Sequence, residues 1–414
     1  MKKRICSLLT VSALVLSMCT GCSWQTVKDK IMTGTSTEAP EQKSELSMKD
    51  VEDKVEEIQK LIDDNFYFST EETELDQGIY KGLLESLDDP YSVYYTKEEF
   101  EELQEETSGE YVGVGVQVSQ DPETMLITVT KVFKGGPAEE AGMLKGDVVT
   151  AVGDWELSGE DVSDVVDKIK GTEGTEVKLT VYRESIKDYV DLTMDRRKVE
   201  NPTVIWEMLE DSIGYVQVTD FYDVTSSQYI QAIEELESQG MQALVVDLRD
   251  NPGGLLSAVV DMLDYMLPKG LLVYTENKDG KIESQLESTD RHVFTKPVAV
   301  LVNGYSASAS EIYAGAMKDR GAATIVGTTT YGKGIVQRIF PLDDGSGIKL
   351  TVSKYFTPSG NDIHKVGIKP DVEIELPEEL YTKSYLERDE DVQLKKAVEV
   401  LIQKINGASA AMKK

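Results

Sequence analysis

The sequence predicts an α/β multidomain protein: a mixed-sheet α/β core, an inserted β-rich domain, and N- and C-terminal helices. Three observations support this fold class. Continuous apolar runs over 243–248 and 298–302 are typical of strands covered on both faces, with a helical pattern between them. Residues 108–198 are instead rich in glycine and short β-branched runs, which indicates strands. Near each end of the chain, apolar residues recur at helical spacing.

The bulk composition limits the classes of partner. The 414-residue chain has a formal net charge of −32 and 40% hydrophobic residues, and it is long enough for two or three domains with separate cores. A surface this acidic repels phosphate backbones, so we expect no nucleic-acid partner. No constellation of metal ligands stands out, and we expect no cofactor and no metal.

Residues 1–21 have the features of a signal peptide. Basic residues at positions 2–4 precede an apolar run over 8–18, which is too short to span a bilayer. The run ends in Cys19-Thr20-Gly21-Cys22, which resembles a bacterial lipoprotein signal, with cysteine at the third position before Cys22 where leucine is usual. The resemblance implies lipidation of Cys22 and an extracytoplasmic lipoprotein anchored to the bacterial cell membrane. A plain cleaved signal peptide and an uncleaved anchor are the alternatives.

The cysteines and the polar segment after them set the boundaries of the globular part. All three cysteines lie within the first 22 residues, so the chain after them has no disulfide and no thiol nucleophile. Residues 22–47 are polar and are predicted to form a flexible tether.

Two regions are predicted to be helical. Over 48–107, two segments each carry one apolar stripe at helical spacing, and a charged helix follows them. Two such helices cannot form a domain alone, so they must pack on the rest of the chain or on a second copy. The C-terminal helical region, 379–414, has an apolar stripe over 392–405 that we expect to pack on the N-terminal pair. A homodimer through the terminal helices is therefore a candidate assembly.

The inserted domain, 108–198, contains a motif for peptide binding. Its run from Gly135 to Asp147 closely resembles a PDZ domain of the bacterial type. Gly113-Val114-Gly115-Val116 falls where such domains carry their carboxylate-binding loop, and glycines there leave backbone N–H groups free for a terminal carboxylate. A helix over 162–169 would form the other wall of the groove. The alternative for the two glycines is a strand bulge without a ligand.

The core, 199–378, alternates strands and helices, and functional residues in such cores lie just beyond strand ends. Asn251-Pro252-Gly253-Gly254 follows the buried strand 243–248 and precedes a predicted helix. Its glycines expose a backbone N–H of Gly253 or Gly254, which suits an oxyanion hole. A tight turn with no ligand fits the motif equally well.

The second strand end carries three serines, in Ser306-Ala307-Ser308-Ala309-Ser310-Glu311. Ser308 opens a predicted helix, where the positive end of the helix dipole and the amide of Ala309 can stabilise negative charge. Ser306 and Ser310 are competing nucleophiles, and Ser310 also fits an N-cap. These residues alone do not select one of the three.

Lys333, between two glycines, is the candidate general base of a Ser/Lys dyad. Burial would have to lower its pKa by roughly two to four units for the amine to accept a proton. Gln337, four residues later, is placed to hydrogen-bond the amine and orient it. The chain has only two histidines: His292 lies in a polar run, and His364 remains an alternative base.

Over residues 48 to 400, these motifs together resemble the carboxy-terminal processing peptidases, also called tail-specific proteases. The resemblance includes Leu87-Asp88-Asp89-Pro90-Tyr91-Ser92 and Gly332-Lys333-Gly334-Ile335-Val336-Gln337. It implies Ser308 as nucleophile, Lys333 as base, Gln337 as its orienting partner, and oxyanion donors at the Gly254 region and Ala309. It also implies that the PDZ domain reads substrate C-termini and gates the site. One departure is Lys170, where the family usually has arginine.

The sequence therefore predicts a serine endopeptidase that binds protein substrates by free, apolar C-terminal tails and cleaves them outside the cytoplasm. One alternative is a catalytically silent PDZ tail-binding adaptor or chaperone, which would be expected to have lost Ser308 or Lys333. Another is an acyl-transferring or hydrating α/β enzyme, although an attached PDZ domain argues against small substrates.

Overall fold

The computed structural model describes residues 47–70, 75–380 and 388–412. The predicted signal peptide, Cys22 and nearly all of the tether lie outside these residues. The chain divides into two compact units, 1–73 and 74–414. In the described part of the first unit, helix α1 (Met48–Asn65) begins after Ser47, whose hydroxyl accepts a hydrogen bond from the amide of Asp50. No side chain of α1 is buried.

The second unit holds the remaining described elements. Its helices are α2 (Leu75–Glu85), α3 (Lys97–Ser108), α4 (Pro137–Glu140), α5 (Val162–Ile169), α6 (Thr225–Ser238), α7 (Leu256–Met266), α8 (Ala309–Asp319) and α9 (Val392–Met412). Its strands are β1 (Val93–Tyr95), β2 (Glu110–Gly113), β3 (Val116–Gln120), β4 (Ile127–Val132), β5 (Val148–Val152), β6 (Trp155–Glu156), β7 (Glu176–Arg183), β8 (Asp188–Asp195), β9 (Arg197–Glu200), β10 (Val204–Met208), β11 (Ile213–Val218), β12 (Ala243–Asp247), β13 (Gly270–Asn277), β14 (Ile282–Ser288), β15 (Val298–Val302), β16 (Ala323–Gly327), β17 (Ile335–Pro341), β18 (Gly347–Phe356) and β19 (Val372–Glu373). Within the described ranges, no helix has the length and apolarity needed to cross a bilayer.

A six-stranded sheet forms the centre of the core, in the order β10-β11-β12-β15-β16-β19. All of its pairings are parallel except that of β10 with β11, so the predicted mixed sheet is confirmed. Every residue of β12 and β15 is buried, as their continuous apolar runs predict. Helices α6, α7 and α8 supply the hydrophobic cluster on one face of the sheet.

Helix α9 covers the other face of the central sheet. Its Leu394, Ala397 and Leu401 are buried in a cluster with sheet residues such as Val245 and Leu301. From the sequence we expected the apolar stripe of α9 to pack on the N-terminal helices. This prediction is wrong, because the stripe packs on the central sheet. An apolar stripe indicates that a helix buries one face. Which surface covers that face depends on how the strands of the sheet assemble.

The inserted domain is a sheet of order β3-β4-β5-β7-β8, with α5 packed on it and its own hydrophobic cluster. The segment 112–118 contains the end of β2 and the start of β3, because Gly115 has φ of +78° and turns the chain between them. Strand β2 pairs with β9, so the two ends of the domain leave the core side by side.

A second core sheet places the N-terminal segment beside the strands that follow Lys333. Strand β1 pairs with β18, with Val93 opposite Lys349, and β17 pairs with the same strand. Strand β17 begins two residues after Lys333. Residues next to β1 are therefore held close to the Lys333 turn by backbone hydrogen bonds.

A buried ionic cluster fastens α9 to the end of β12. The guanidinium of Arg249 binds the carboxylate of Asp247 at 2.6 Å and that of Asp391 at 2.7 Å. The two carboxylate side chains are 1% and 6% exposed, so water cannot replace the cation if it is removed. Asp391 also accepts a hydrogen bond from the amide of Leu394 in the first turn of α9.

We expect Arg249→Met to lower the free energy of unfolding by about 3–5 kcal/mol, because it leaves two buried carboxylates without a cation. Urea unfolding followed by tryptophan fluorescence measures the loss. The matched control is Lys354→Met, which removes an exposed ion pair with Asp362 and should cost less than about 1 kcal/mol. Equal costs for the two variants would show that the cluster does not stabilise the fold.

Candidate active site

The turn between β15 and α8 fixes the three serines in different roles. The Ser306 hydroxyl donates to the carbonyl oxygen of Leu248 at 2.7 Å, and the Ser310 hydroxyl donates to that of Asn251 at 3.0 Å. Both serines are fully buried, so their hydroxyls hold the turn against the end of β12. Ser308 is half-buried and has φ of +53° and ψ of −113°, a strained conformation for a residue with a side chain.

The Asn251–Gly254 turn packs directly on the Ser308 turn. A Cβ atom added to Gly253, at φ of +103°, would lie 2.7 Å from the carbonyl oxygen of Ala307 and 2.8 Å from Cβ of Ser308. The amide of Gly253 donates to the side-chain oxygen of Asn251 at 2.8 Å and is therefore occupied. Within the described chain, the amides of Gly254 and Ala309 have no acceptor, and they are the free donors of this turn.

A buried carboxylate, that of Glu311, joins the Ser308 turn to the Lys333 turn. One of its oxygens accepts hydrogen bonds from the amides of Ser308 at 2.9 Å and Lys333 at 2.8 Å. The other accepts from the hydroxyl of Thr330 at 2.6 Å and the amide of Gly332 at 2.7 Å. The sequence interpretation missed this role. The signal was present, because Ser308 and Glu311 have the spacing of a capping box.

The hydroxyl of Tyr355 makes a second connection between the same two turns. It lies 3.0 Å from the carbonyl oxygen of Ser308 and 2.5 Å from that of Lys333. Burial raises the pKa of Tyr355 well above its ordinary value, and the nearby Glu311 carboxylate raises it further. The phenol therefore stays a neutral donor at physiological pH.

The amine of Lys333 lies over an aromatic ring. Its nitrogen is 4.3 Å from the centroid of Tyr91. Burial lowers the pKa of Lys333 below its ordinary value and the Lys349 ammonium lowers it further, while the carboxylates of Asp89 and Glu311 act in the opposite direction. The direction is the one that a general base requires.

The predicted dyad is close but not hydrogen-bonded in this conformation. In the part of the chain that the structure describes, no hydrogen bond joins the Lys333 amine to the Ser308 hydroxyl. Gln337 lies on β17, and its amide donates to the hydroxyl of Thr351 at 3.3 Å rather than to Lys333. The structure therefore brings the backbones of Ser308 and Lys333 to one carboxylate oxygen, while Gln337 follows on β17 and contacts Thr351.

The two histidines differ in position. His364 packs on the Lys333 turn, since a Cβ added to Gly334 would lie 2.6 Å from its backbone nitrogen. Among the described residues, its buried Nδ1 atom has no hydrogen-bond partner. His292 stacks on Tyr265, with ring centroids 4.0 Å apart, and its Nδ1 atom lies 2.7 Å from the carbonyl oxygen of the same residue.

Two cavities lie at the predicted functional motifs, one beside the Ser308 and Lys333 turns and one at the inserted domain. One, of about 490 Å³, is lined by Tyr91, Asp250, Pro252, Tyr305, Ala307, Tyr331 and Lys333. Its aromatic walls and small floor next to Ser308 are accompanied by two charged residues, Asp250 and Lys333.

The other, also about 490 Å³, lies between β3 and α5 and is completed by core residues that include Thr219 and Asp220. Val114 and Val116 of the predicted carboxylate-binding loop line it, and Gly113 and Gly115 adjoin them. Tyr111 and Lys170 stand at the same groove, with the Lys170 amine 5.5 Å from the Tyr111 ring centroid and 3.1 Å from the Glu105 carboxylate.

Comparison with known proteins identifies the class of protein as a serine peptidase with a PDZ domain. Residues 212–374 match the model of peptidase family S41, residues 128–183 match a PDZ domain, and residues 11–99 match the N-terminal domain of the activating protease CtpB. The carboxy-terminal processing protease CtpA of Bacillus subtilis is 38% identical over 339 residues, which cover 81% of this chain and 72% of that protein.

The chain is also similar to the following three proteins. A Staphylococcus aureus protein named probable CtpA-like serine protease is 36% identical over 78% of this chain and 65% of its own length. The solved photosystem II D1 C-terminal processing protease is 30% identical, covers 78% of this chain and 88% of its own, and has a TM-score of 0.45. A solved Bacteroides fragilis protein assigned to the S41 proteases shares the fold, at 18% identity, a TM-score of 0.50, and coverage of 78% and 90%.

The chain belongs to peptidase family S41. It is a serine-type C-terminal processing protease that carries a PDZ domain, as the resemblance in the sequence predicted.

We expect Glu311→Gln to lower kcat at least about 100-fold with little change in KM. The side-chain NH2 group of glutamine would face a backbone N–H group that now donates to the carboxylate, and two donors cannot form a hydrogen bond. Steady-state cleavage of a peptide substrate measures both constants. Glu98→Gln, an exposed change on α3, is the control and should retain full activity. Wild-type kcat in Glu311→Gln would show that the carboxylate does not organise the site.

Proposed function

We propose that Ser308 is the nucleophile and Lys333 the general base of a Ser/Lys dyad, in an endopeptidase that selects substrates by their C-terminal tails. The observation that carries this proposal is the Glu311 carboxylate, which accepts hydrogen bonds from the backbone amides of both residues. Ser306 and Ser310 are buried and donate their hydroxyls to backbone carbonyl groups, whereas Ser308 is half-buried.

In the proposed reaction, the neutral Lys333 amine takes the proton of the Ser308 hydroxyl as its oxygen attacks the scissile carbonyl carbon. The amides of Gly254 and Ala309 stabilise the resulting oxyanion. When the intermediate collapses, the Lys333 ammonium gives its proton to the leaving amine, and an acyl-enzyme remains. Water then attacks the ester by the same proton transfers, which releases the acid product and restores the serine.

Reaching this arrangement requires side-chain rotation. The Lys333 amine has to move toward the Ser308 hydroxyl while it remains within about 6 Å of the Tyr91 ring centroid, and Gln337 has to leave Thr351 to orient it. The amide of Gly253 joins the oxyanion hole if it leaves Asn251. Burial lowers the pKa of Lys333, so cleavage should rise with pH as the amine loses its proton.

For tail recognition, we propose that an extended peptide adds to the edge of β3 and that the amides at 113–116 bind its terminal carboxylate. The apolar residues of the groove, among them Val118, Phe133 and Ile169, support a preference for apolar tails. Tyr111 lines the same groove as Val114 and Val116.

The proposed Ser/Lys dyad and the proposed recognition of C-terminal tails are tested by cleavage of an unstructured protein whose C-terminus is either free or amidated. For residues 23–414, we expect Ser308→Ala and Lys333→Ala each to lower kcat by about 10³-fold or more. Amidation should lower kcat/KM for the wild-type protein, because it removes the charge that the backbone amides bind. Lys354→Ala is the control for loss of a surface lysine.

Full cleavage by Lys333→Ala would contradict the dyad. An equal rate on both tails would contradict tail recognition, and the dyad would stand.

We also propose that Cys22 is lipidated and that the protein acts outside the cytoplasm on a membrane anchor. The signal-like segment 1–21 and the polar residues after it support this. Cys22→Ser is expected to move the protein from the membrane fraction to the soluble extracellular fraction and to abolish labelling with a fatty-acid probe. Ser23→Ala, a neighbouring change, should leave both unaltered. Unchanged labelling and fractionation of Cys22→Ser would overturn the proposal.

A homodimer is a further proposal, and α1 supports it better than α9. Ile58 and Leu61 of α1 are 49% and 57% exposed, while the apolar side of α9 is occupied by the central sheet. Sedimentation velocity of residues 23–414 measures the state of assembly directly.

A further inference from the structure

The aromatic ring next to the Lys333 amine belongs to a segment that is far from Lys333 in the sequence. Tyr91 precedes β1, and it lies outside the residues 212–374 that match the peptidase family. Besides the 4.3 Å approach of the Lys333 nitrogen to its ring, its hydroxyl lies 3.5 Å from that of Tyr331. This hydroxyl contact and burial raise the pKa of Tyr91 to about 12, so the ring is that of a neutral phenol.

The position of the ring is fixed by the turn that carries it. The carboxylate of Asp89 accepts hydrogen bonds from the amide of Tyr91 at 3.2 Å and the hydroxyl of Ser92 at 2.6 Å. The Ser92 hydroxyl in turn accepts from the amide of Thr351 on β18 at 3.1 Å. Strand β18 also pairs with β17, which starts two residues after Lys333. Ring and lysine are therefore attached to the same sheet.

We propose that Tyr91 is a positioning residue for Lys333, whose ring holds the amine in the active-site cavity and stabilises its charged form. The proposal rests on the proposed role of Lys333 as general base. An aromatic face attracts an ammonium group through the quadrupole of the ring and attracts a neutral amine much less. The charge appears on the amine as it takes the proton from Ser308, so the interaction grows as the reaction proceeds.

Other charged groups face the same amine and have to be kept constant in any test. The carboxylates of Asp89, on the Tyr91 turn, and Glu311, on α8, favour the ammonium. The ammonium of Lys349, on β18, disfavours it. A change of shape at position 91 would disturb Asp89 as well, since its carboxylate binds the Tyr91 amide. Substitutions that alter only the electron density of the ring avoid this.

The experiment replaces Tyr91 in residues 23–414 by phenylalanine and by its progressively fluorinated analogues. These share one shape, while fluorine withdraws the electron density that attracts the cation. We expect the apparent pKa of the rising limb of kcat/KM against pH to fall in step with fluorination, by about half a unit to one unit in total. The rate at high pH should fall as well, because the ammonium formed during the reaction is less well stabilised.

A second measurement does not depend on activity. The rate at which an amine reagent modifies Lys333, followed by mass spectrometry over a range of pH, gives the pKa of the amine in every variant, including inactive ones. The same analogues at Tyr305, which lines the same cavity but makes no ring contact with Lys333 in the described structure, are the control. They should leave the pKa of Lys333 unchanged.

The outcomes separate this inference from the proposed dyad. A Lys333 pKa that is the same across the Tyr91 series, with Lys333→Ala inactive, would overturn the role of Tyr91 and leave the dyad standing. Full activity of Lys333→Ala would overturn the dyad itself. A downward shift with Tyr91 substitution and none with Tyr305 substitution would establish Tyr91 as the positioning residue.

Discussion

The Glu311 carboxylate is the interaction on which the rest of the site depends. It is completely buried, and a buried carboxylate is costly unless its oxygens are hydrogen-bonded. Four donors from two separate segments meet that requirement, so losing the geometry of either segment would leave a buried acceptor unpaired. This is how the strained backbone of Ser308 is maintained. The carboxylate makes the positions of Ser308 and the Lys333 turn mutually dependent.

The opposite side of the Ser308 turn depends on the end of β11. The side-chain amide of Asn251 donates to the carbonyl oxygen of Val218, and Phe221 exchanges hydrogen bonds with Gly253 and Leu255. Thr219 and Asp220, between these points, line the groove shared with the PDZ domain. One short segment thus contacts both the peptide groove and the turn that carries the free amide of Gly254.

The sequence predicted most of the fold and only part of the site. Buried strands such as β12 and β15 are evident because parallel strands covered on both faces are apolar throughout. Strand ends then locate Gly254 and Ser308 without further information. The local sequence does not select Ser308 over Ser306 and Ser310. The structural role of those two hydroxyls is evident only from the carbonyl groups that accept hydrogen bonds from them. These acceptors lie about 60 residues earlier and meet the serines only when β12 and β15 pair.

Long-range partners explain the remaining omissions. The capping-box spacing of Glu311 indicates a bond to Ser308, but it contains nothing about the amides of Gly332 and Lys333. Likewise, Tyr91 is separated from Tyr331 by 240 positions. Their segments are joined by the pairing of β1 with β18, and β1 has only three residues, too few for a recognisable pattern. Side chains that complete a site from a distant short strand are therefore the ones that local patterns do not reveal.

A ring is also a better partner than a carboxylate for a lysine that has to lose its proton. An adjacent carboxylate changes a pKa by about 1–3 units toward the charged form, which would offset the lowering that burial provides. A ring contributes about 0.5–2 kcal/mol, equivalent to about 0.4–1.5 pKa units. In this site the carboxylate of Glu311 is occupied by backbone donors and that of Asp89 by its own turn. In the proposed mechanism, the Tyr91 ring positions the amine and still permits its neutral form.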